Sequence, residues 1–471
     1  MSTDASTAGD AAVADAAVAA ARAAATPSTR EQRAGWLDAL AAALDDDRAE
    51  LAGLAHEETH LSPARLDGEI TRTAAQLRFF AGVIREGAYL EAVVESPDPS
   101  LIPPRPDLRR ILRPLGPVAV YAASNFPFAF SVLGNDTASA LAAGCPVIVK
   151  AHPGHPLLSR RTAALAARIL PPGWFSLVEG MDAGTALVRH PLVRAAGFTG
   201  STRGGRALFD LAASRPDPIP FYGELGSINP VVVTRAAAAE RAEAIGAGLV
   251  GSFTRDAGQY CTKPGLVFVP AGGGVEEAVR GALGDAPASR QLTPGMTEAF
   301  SAGVAAFSAR SPVEVLRGEA APGESAPAVV LVDADAFLAD PAPFLAECFG
   351  PVTVLVRFAD ADLPALLAAL EPSLTATIHR GTGEDVTSLA ASLGAVAGRL
   401  LFDGWPTGVA IGWAQHHGGG WPSTTASIHT SVGATAIRRW LTPIAYQDAP
   451  RDVLPPELRD GNPLGIPRRD S

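Results

Sequence analysis

Between residues 118 and 225, five short apolar runs, "VAVYAAS", "PVIVK", "FSLVE", "RAAGFTG" and "IPFYGE", alternate with longer Ala-rich stretches of helical spacing. This alternation constrains the fold more than any other feature. Parallel strands need crossovers, and the crossovers cover the sheet, so the pattern predicts a parallel sheet with helices on both faces. A second series begins near Asn229 with "NPVVV" and continues through "GLVFV", "AVVLV", "VTVLV", "TATIH" and "GRLLF". Two α/β domains are the economical organisation for a chain of 471 residues, a length at which two or three domains are expected.

Ahead of the first series, from Thr29 to about Glu86, Leu and Ala recur at three- and four-residue spacing with charges on the other face, which predicts a pair of long covering helices. The connector "SPDPSLIPPRPDLRRILRPLGP" is too rich in proline for helix and favours an extended excursion or an edge strand. No internal repeat is present, and "GEAAPGESAP" reads as a surface loop. The Ala-rich N-terminus lacks a basic start and carries Asp within its apolar stretch, unlike a secretory signal. No run reaches the roughly 20 apolar residues of a membrane span, so a cytoplasmic protein without a membrane partner is expected. Acidic residues outnumber basic ones, 49 to 38, and no Lys/Arg run follows a phosphate backbone, which argues against nucleic acid. Three scattered cysteines make neither a disulfide framework nor a metal cluster.

In open parallel sheets ligands bind beyond the carboxyl ends of the strands, and unusual residues stand there. One run ends in Ser124-Asn125, another in Lys150, a third in Gly200-Ser201, and a fourth in Glu224 between glycines. Each alone suits a turn or cap; four at successive strand ends point to a site. The stretch "GSTRGG" offers N–H groups at a helix start, suited to a phosphate. A strand-end lysine can bond ribose hydroxyls or counter a phosphate, and Asn125 can donate to an oxyanion.

Of the three cysteines, Cys145 in "AAGCPVIVK" and Cys348 in "AECFGPV" sit in surroundings suited to packing. Cys261 does not: in "GQYCTKP" it lies between polar and turn-forming residues. It can attack a carbonyl, and Glu224 can take a proton from the thiol or from water. Together these parts describe acyl chemistry through a thioester beside a phosphate-bearing cofactor.

The ordered set "SNFP", "VIVKAHP", "FTGSTRGG", "YGELGSINP", "GQYCTKPG" and "ECFGP" resembles the aldehyde dehydrogenase superfamily from about residue 30 to 447. The likeness is closest to its NADP-using branch of α-ketoglutaric semialdehyde and fatty aldehyde dehydrogenases. The resemblance implies an α/β fold with a Rossmann-type cofactor domain (1–98 and 118–225), an α/β catalytic domain (226–435), and a small bridging or oligomerisation element (99–117 and 436–471). It implies Cys261 as nucleophile, Asn125 as oxyanion donor with the Cys261 N–H, and Glu224 as the base that activates water. It places Lys150 at the adenosine ribose, Gly200, Ser201 and Gly205 at the pyrophosphate, Glu347 at the nicotinamide ribose, and Phe349 near the ring. The partners it implies are a small aldehyde and further copies of the chain, as homodimer or homotetramer, without the strand that full-length relatives carry before the first helix.

Many NAD-preferring relatives carry a carboxylate three residues after the strand-end lysine; here Pro153 stands there. The resemblance therefore implies NADP, with NAD possible, and Lys150, His152 or Arg189 as partners of the 2′-phosphate, arginine being suited to bidentate contact. The segment "AIGWAQHHGGGWPSTTASIHTSVG" is loop-rich, and its Trp413, His416, His417 and Trp421 suit either a substrate mouth or a plain surface loop. A CoA-acylating enzyme is the first alternative, disfavoured by Glu224; a silent nucleotide-binding relative and a cysteine hydrolase are the others.

Overall fold

The Ala-rich N-terminus is helix: Ser2–Ala24 lays Val13, Ala16, Ala17 and Ala20 against Ala119, Tyr121, Ile148 and Leu187 of the first α/β unit. Small side chains permit this close approach. A Cβ on Gly173 would lie 2.5 Å from the Ala19 carbonyl oxygen. The computed structural model describes residues 2–310 and 312–471, with side chains from residue 9 onward.

Three helices follow where the spacing predicts two, Arg30–Asp46, Arg48–Thr59 and Pro63–Glu86. Thr29 opens the first with a reciprocal capping box to Gln32. Ser62 caps the third, Pro63 stands at its first turn, and Gly87 ends it at φ 91°. The split comes at Asp47 and at His60, which is left-handed at φ 60°.

The first series builds a five-stranded, wholly parallel sheet in the order Phe175–Val178, Val147–Lys150, Val118–Tyr121, Ala195–Thr199, Phe221–Glu224. Strand order reverses on either side of Val118–Tyr121, so the crevice at the carboxyl ends opens there. The helices before and after Pro63 cover one face, where Cys145 is buried and donates its thiol to the Trp440 carbonyl at 3.3 Å.

The second series forms a seven-stranded sheet, ordered Glu314–Arg317, Ala328–Asp333, Val352–Phe358, Leu266–Pro270, Pro230–Val233, Ser373–His379, Ala397–Phe402. Its first strand is antiparallel to the next and was not expected; half-exposed and short, it lacks the apolar run that marks the others. The proline-rich connector leads into Leu108–Pro114, within a third sheet ordered Leu441–Gln447, Leu108–Pro114, Ala92–Glu95, Arg468–Asp470. Ala92–Glu95, which sequence groups with segment 1–98, pairs here instead, antiparallel to Leu108–Pro114. Among the described residues no helix is long and apolar enough to cross a membrane.

One seam between the first two units is built from backbone hydrogen bonds. Leu225 N–H donates to the Ser423 carbonyl at 2.8 Å and Thr425 N–H to the Gly223 carbonyl at 3.1 Å. The loop after the last sheet strand is thereby pinned to the end of Phe221–Glu224.

Candidate active site

Cys261 follows the helix Arg235–Thr254 through a contorted turn. Asp256, Ala257 and Gly258 all hold positive φ, at 47°, 58° and 66°, conformations that non-glycine residues adopt only when their surroundings enforce them. The enforcement is visible. Asp256 accepts from Arg65 Nε at 3.0 Å and from the Tyr260 hydroxyl at 2.7 Å. A Cβ on Gly258 would lie 2.3 Å from the Gly350 carbonyl oxygen, so the turn needs glycine there.

Beyond the cysteine, Asn229 Nδ2 donates to the carbonyls of Cys261 at 2.8 Å and Lys263 at 2.9 Å. Its Oδ1 accepts from Thr375 N–H at 3.2 Å and the Ser227 hydroxyl at 2.8 Å. Asn229 is fully buried. Asn229→Ala leaves these groups unpaired and is expected to cost about 3 kcal/mol, measured by chemical unfolding; a loss below about 0.5 kcal/mol would remove the amide from the support of this turn.

The Cys261 thiol meets two groups. His417 Nε2 lies 3.5 Å from Sγ and 2.9 Å from Glu224 Oε1, and the three ligand-type atoms all lie within 4.8 Å of one another. Ser431 donates its hydroxyl to the other Glu224 oxygen. With a proton on Nε2, His417 donates to the carboxylate, and Nδ1 has no partner among the described residues. Burial alone would raise the Glu224 pKa, but His417 and the bonds from His417 and Ser431 overcome it and hold the carboxyl below its usual range. Burial, and then the charge of Glu224, push the Cys261 thiol well above its usual value.

His417 is therefore neither mouth nor surface: it is 1% exposed and at the centre of the site. Trp413 and Trp421 are exposed. The local signal was the glycine run after the two histidines. A Cβ on Gly418 would lie 2.7 Å from the His429 carbonyl oxygen and one on Gly419 2.6 Å from that of Ser373, so only glycines thread this passage.

Asn125, at the end of Val118–Tyr121, turns its amide toward the cysteine turn and donates to the Gln259 carbonyl at 3.0 Å. Glu347 reaches the same region, close enough for its charge to act on the Cys261 thiol. Lys263, fully buried, donates to the Cys348 carbonyl at 2.9 Å and the Val352 carbonyl at 2.7 Å. A Cβ on Gly226 would lie 2.7 Å from Glu347 Oε2. Loss of water raises the Glu347 carboxyl to about 7, with Lys263 opposing.

At the other end of the crevice Lys150 is buried, with Met181 Sδ 4.0 Å from Nζ. Burial lowers its pKa, and among the described residues no carboxylate pairs with it. An unpaired ammonium at the strand-order reversal fits an incoming ribose or phosphate. The helix Thr202–Ala213 starts nearby, capped by the Ser201 hydroxyl, which accepts from Gly204 N–H at 3.2 Å. The first-turn N–H groups of such a helix have no partner within it and suit a pyrophosphate.

Four of the expected cofactor residues have other engagements in the structure. Gly200 N–H is committed to the Glu224 carbonyl at 3.0 Å and Gly205 N–H to that of Ser201 at 2.9 Å, so neither is free for phosphate. Gly205 serves close packing: a Cβ there would meet Leu225 Cδ2 at 2.1 Å. His152 accepts from Gly154 N–H at 3.0 Å, and burial, with His155 and Lys150 adding, pushes its pKa down to about 3, so it offers no positive charge. Arg189 ends the helix Met181–Arg189, whose start lies beside Lys150. At about 1.5 Å per residue it stands about 12 Å away, at the amino end of the sheet.

A thiol and a carboxylate brought onto one histidine where the carboxyl end of the first sheet faces the second unit, with an amide held on the same turn and an unpaired ammonium and open helix start further along the crevice, make the constellation expected of a nucleotide-dependent oxidoreductase. Residues 3–379 match the model of the aldehyde dehydrogenase family, and the chain belongs to that family. It is 48% identical over 456 residues to α-ketoglutaric semialdehyde dehydrogenase 2 of Azospirillum brasilense, covering 93% of this chain and 86% of that one. It is 40% identical over 456 residues to α-ketoglutaric semialdehyde dehydrogenase of Acinetobacter baylyi, covering 94% and 87%. Its fold is that of proline utilization A of Bradyrhizobium japonicum, with a TM-score of 0.81 at 23% identity, over 93% of this chain and 45% of that longer one. The chain oxidises an aldehyde to the carboxylic acid with a nicotinamide cofactor, NAD or NADP.

Proposed function

We propose that Cys261 carries this oxidation of a semialdehyde or aliphatic aldehyde, with Glu224 and Asn125 as its partners. The observation that carries the reading is the convergence of Sγ and the Glu224 carboxylate on one histidine nitrogen. Sγ attacks the carbonyl carbon and a C–S bond forms, with the thiol proton passing to Glu224 or to water. The Asn125 amide and the Cys261 N–H receive the oxyanion. The cofactor supplies the acceptor for the hydride that leaves this carbon. Glu224, having passed any thiol proton on to solvent, then takes a proton from water, and the hydroxide adds to the thioester carbon. The C–S bond breaks, the acid departs, and the Cys261 sulfur regains a proton from Glu224 or solvent. His417 and Ser431 hold the carboxylate in the ionised form that this step requires.

Lys150 holds the adenosine ribose, the helix start at Ser201 the pyrophosphate, Glu347 the nicotinamide ribose, and Phe349 packs beside the ring. NADP is the preferred cofactor, because exposed Pro153 puts no negative charge beside Lys150. The enzyme works in the cytoplasm as a homodimer or homotetramer. The open edges of Leu441–Gln447 and Arg468–Asp470 in the third sheet support self-association.

An aldehyde panel followed by reduced-nicotinamide absorbance, run with NADP and NAD in parallel and with and without CoA, tests the reading. No aldehyde oxidised, or an acyl-CoA product, would overturn it. Pro153→Glu is expected to move the NADP/NAD ratio of kcat/KM toward NAD by about 10-fold or more, since a charge near the phosphate costs on the order of 1 to 4 kcal/mol. His152→Glu is the positional control. An unchanged ratio in both would place the adenosine ribose elsewhere.

A further inference from the structure

The helix Pro63–Glu86 turns Arg65, Glu69 and Arg72 toward the segment that carries Asn125. The first two are satisfied. Arg65 donates to Glu69, to Asp256 and to the Tyr260 hydroxyl. Glu69 also accepts from the N–H groups of Phe128 and Ala129, each at 2.9 Å. Arg72 is not. Its guanidinium lies 5.5 Å over the Phe126 ring and 5.5 Å over the Phe130 ring, while Nε and Nη2 are closed to water and have no hydrogen-bond partner among the described residues. Gln76, one turn further on, leaves its own Oε1 unpartnered, so the helix does not supply the missing bond.

The group stands close to the chemistry. The Phe130 ring is 6.4 Å from the His417 ring, and the positive charge of Arg72 acts on the Cys261 thiol. Arg72 is half-buried and feels the charge of Glu69, but no carboxylate bonds its guanidinium, and two N–H groups shut off from water without a partner are costly and suit an anion. Two free N–H groups on one planar fork match the two oxygens of a carboxylate, and the flanking phenyl rings suit a short methylene chain. The other arginine felt by the thiol, Arg399, leaves only Nε unpartnered among the described residues, its Nη atoms donating to the carbonyls of Gly408 at 3.0 Å and Pro406 at 2.8 Å, so it presents no open two-pronged fork.

We propose that Arg72 is the specificity-determining residue of this enzyme and binds the remote carboxylate of a semialdehyde substrate. This rests on, and deepens, the reading of Cys261 and Glu224 as the aldehyde-oxidising pair. The aldehyde carbon reaches Cys261 while the far acid group, fully ionised at neutral pH, closes the open fork of Arg72.

The test compares a short aldehyde bearing a terminal carboxylate with its neutral methyl ester. For Arg72→Gln, KM for the carboxylated aldehyde is expected to rise about 10- to 100-fold, and the acid/ester ratio of kcat/KM to fall by a similar factor. Arg72→Lys should recover part of the loss. Calorimetric binding of the corresponding dicarboxylate to the cofactor-free protein should weaken in parallel. An unchanged ratio and unchanged dicarboxylate binding overturn the assignment. An equal loss on both aldehydes overturns it too: a shifted pH profile of Cys261 alkylation then assigns Arg72 to the thiol, and a lowered Tm assigns it to packing. If the parent protein oxidises the ester but prefers it to the acid, this inference alone fails. If it oxidises neither, the reading of the catalytic pair fails, and dicarboxylate binding still decides the role of Arg72.

Discussion

Cys261→Ser is expected to lower aldehyde oxidation by on the order of 10⁴-fold or more while cofactor binding, followed by fluorescence, stays close to that of the parent. A serine hydroxyl at this place has the same neighbours but is a far weaker nucleophile. Even the thiol is restrained, since burial and then Glu224 push it well above its usual value. A raised thiol pKa makes the thiol the resting form at neutral pH, and the thiolate fraction grows with pH until that pKa is reached. Alkylation of Cys261 in the free enzyme should therefore accelerate as pH rises. Oxidation near the parent rate in the serine variant would sink the thioester route.

Glu224→Gln should slow release of the acid by about 10²- to 10⁴-fold and leave the first turnover far less affected. The amide keeps a carbonyl oxygen to accept from His417 Nε2, which donates to Glu224 Oε1 at 2.9 Å, but it cannot take a proton from water. The trace expected is a burst of reduced nicotinamide, about one equivalent per site, then slow turnover. A burst slowed as much as the steady state would instead assign Glu224 to activation of the thiol.

The strands of both large sheets except Glu314–Arg317 were legible because each is a short, closed apolar run, and Asn125 and Glu224 stood out as candidates because polar residues end two of those runs. Cys261, which follows a helix, was marked only by its polar surroundings and by the family resemblance. Other features were hidden for physical reasons. His417 acts on Cys261 across 156 residues and on Glu224 across 193, and only the docking of two units makes them neighbours. Arg189 looked eligible because it follows a strand-end lysine in sequence, yet a nine-residue helix carries it to the wrong end of the sheet. His152 has the right position, but burial removes its charge. Gly200 and Gly205 have the right conformational freedom, but backbone carbonyls already occupy their donors. Arg72 gave no sequence signal, since an arginine on an amphipathic helix reads as a solvated face until its partners are known.

The long separation between Glu224 and His417 also bears on how the enzyme comes into being. On the ribosome the strand Phe221–Glu224 is complete long before the histidine that partners its last residue has been made, and contacts of such separation are slow to form. Until the segment around Ser423 and Thr425 zips onto that strand end, the carboxylate has neither of its two donors. A half-made or half-refolded chain can thus hold most of its helices and sheets and still be chemically inert. The constellation around the carboxylate is completed only when the late-made segment docks and brings both donors to it.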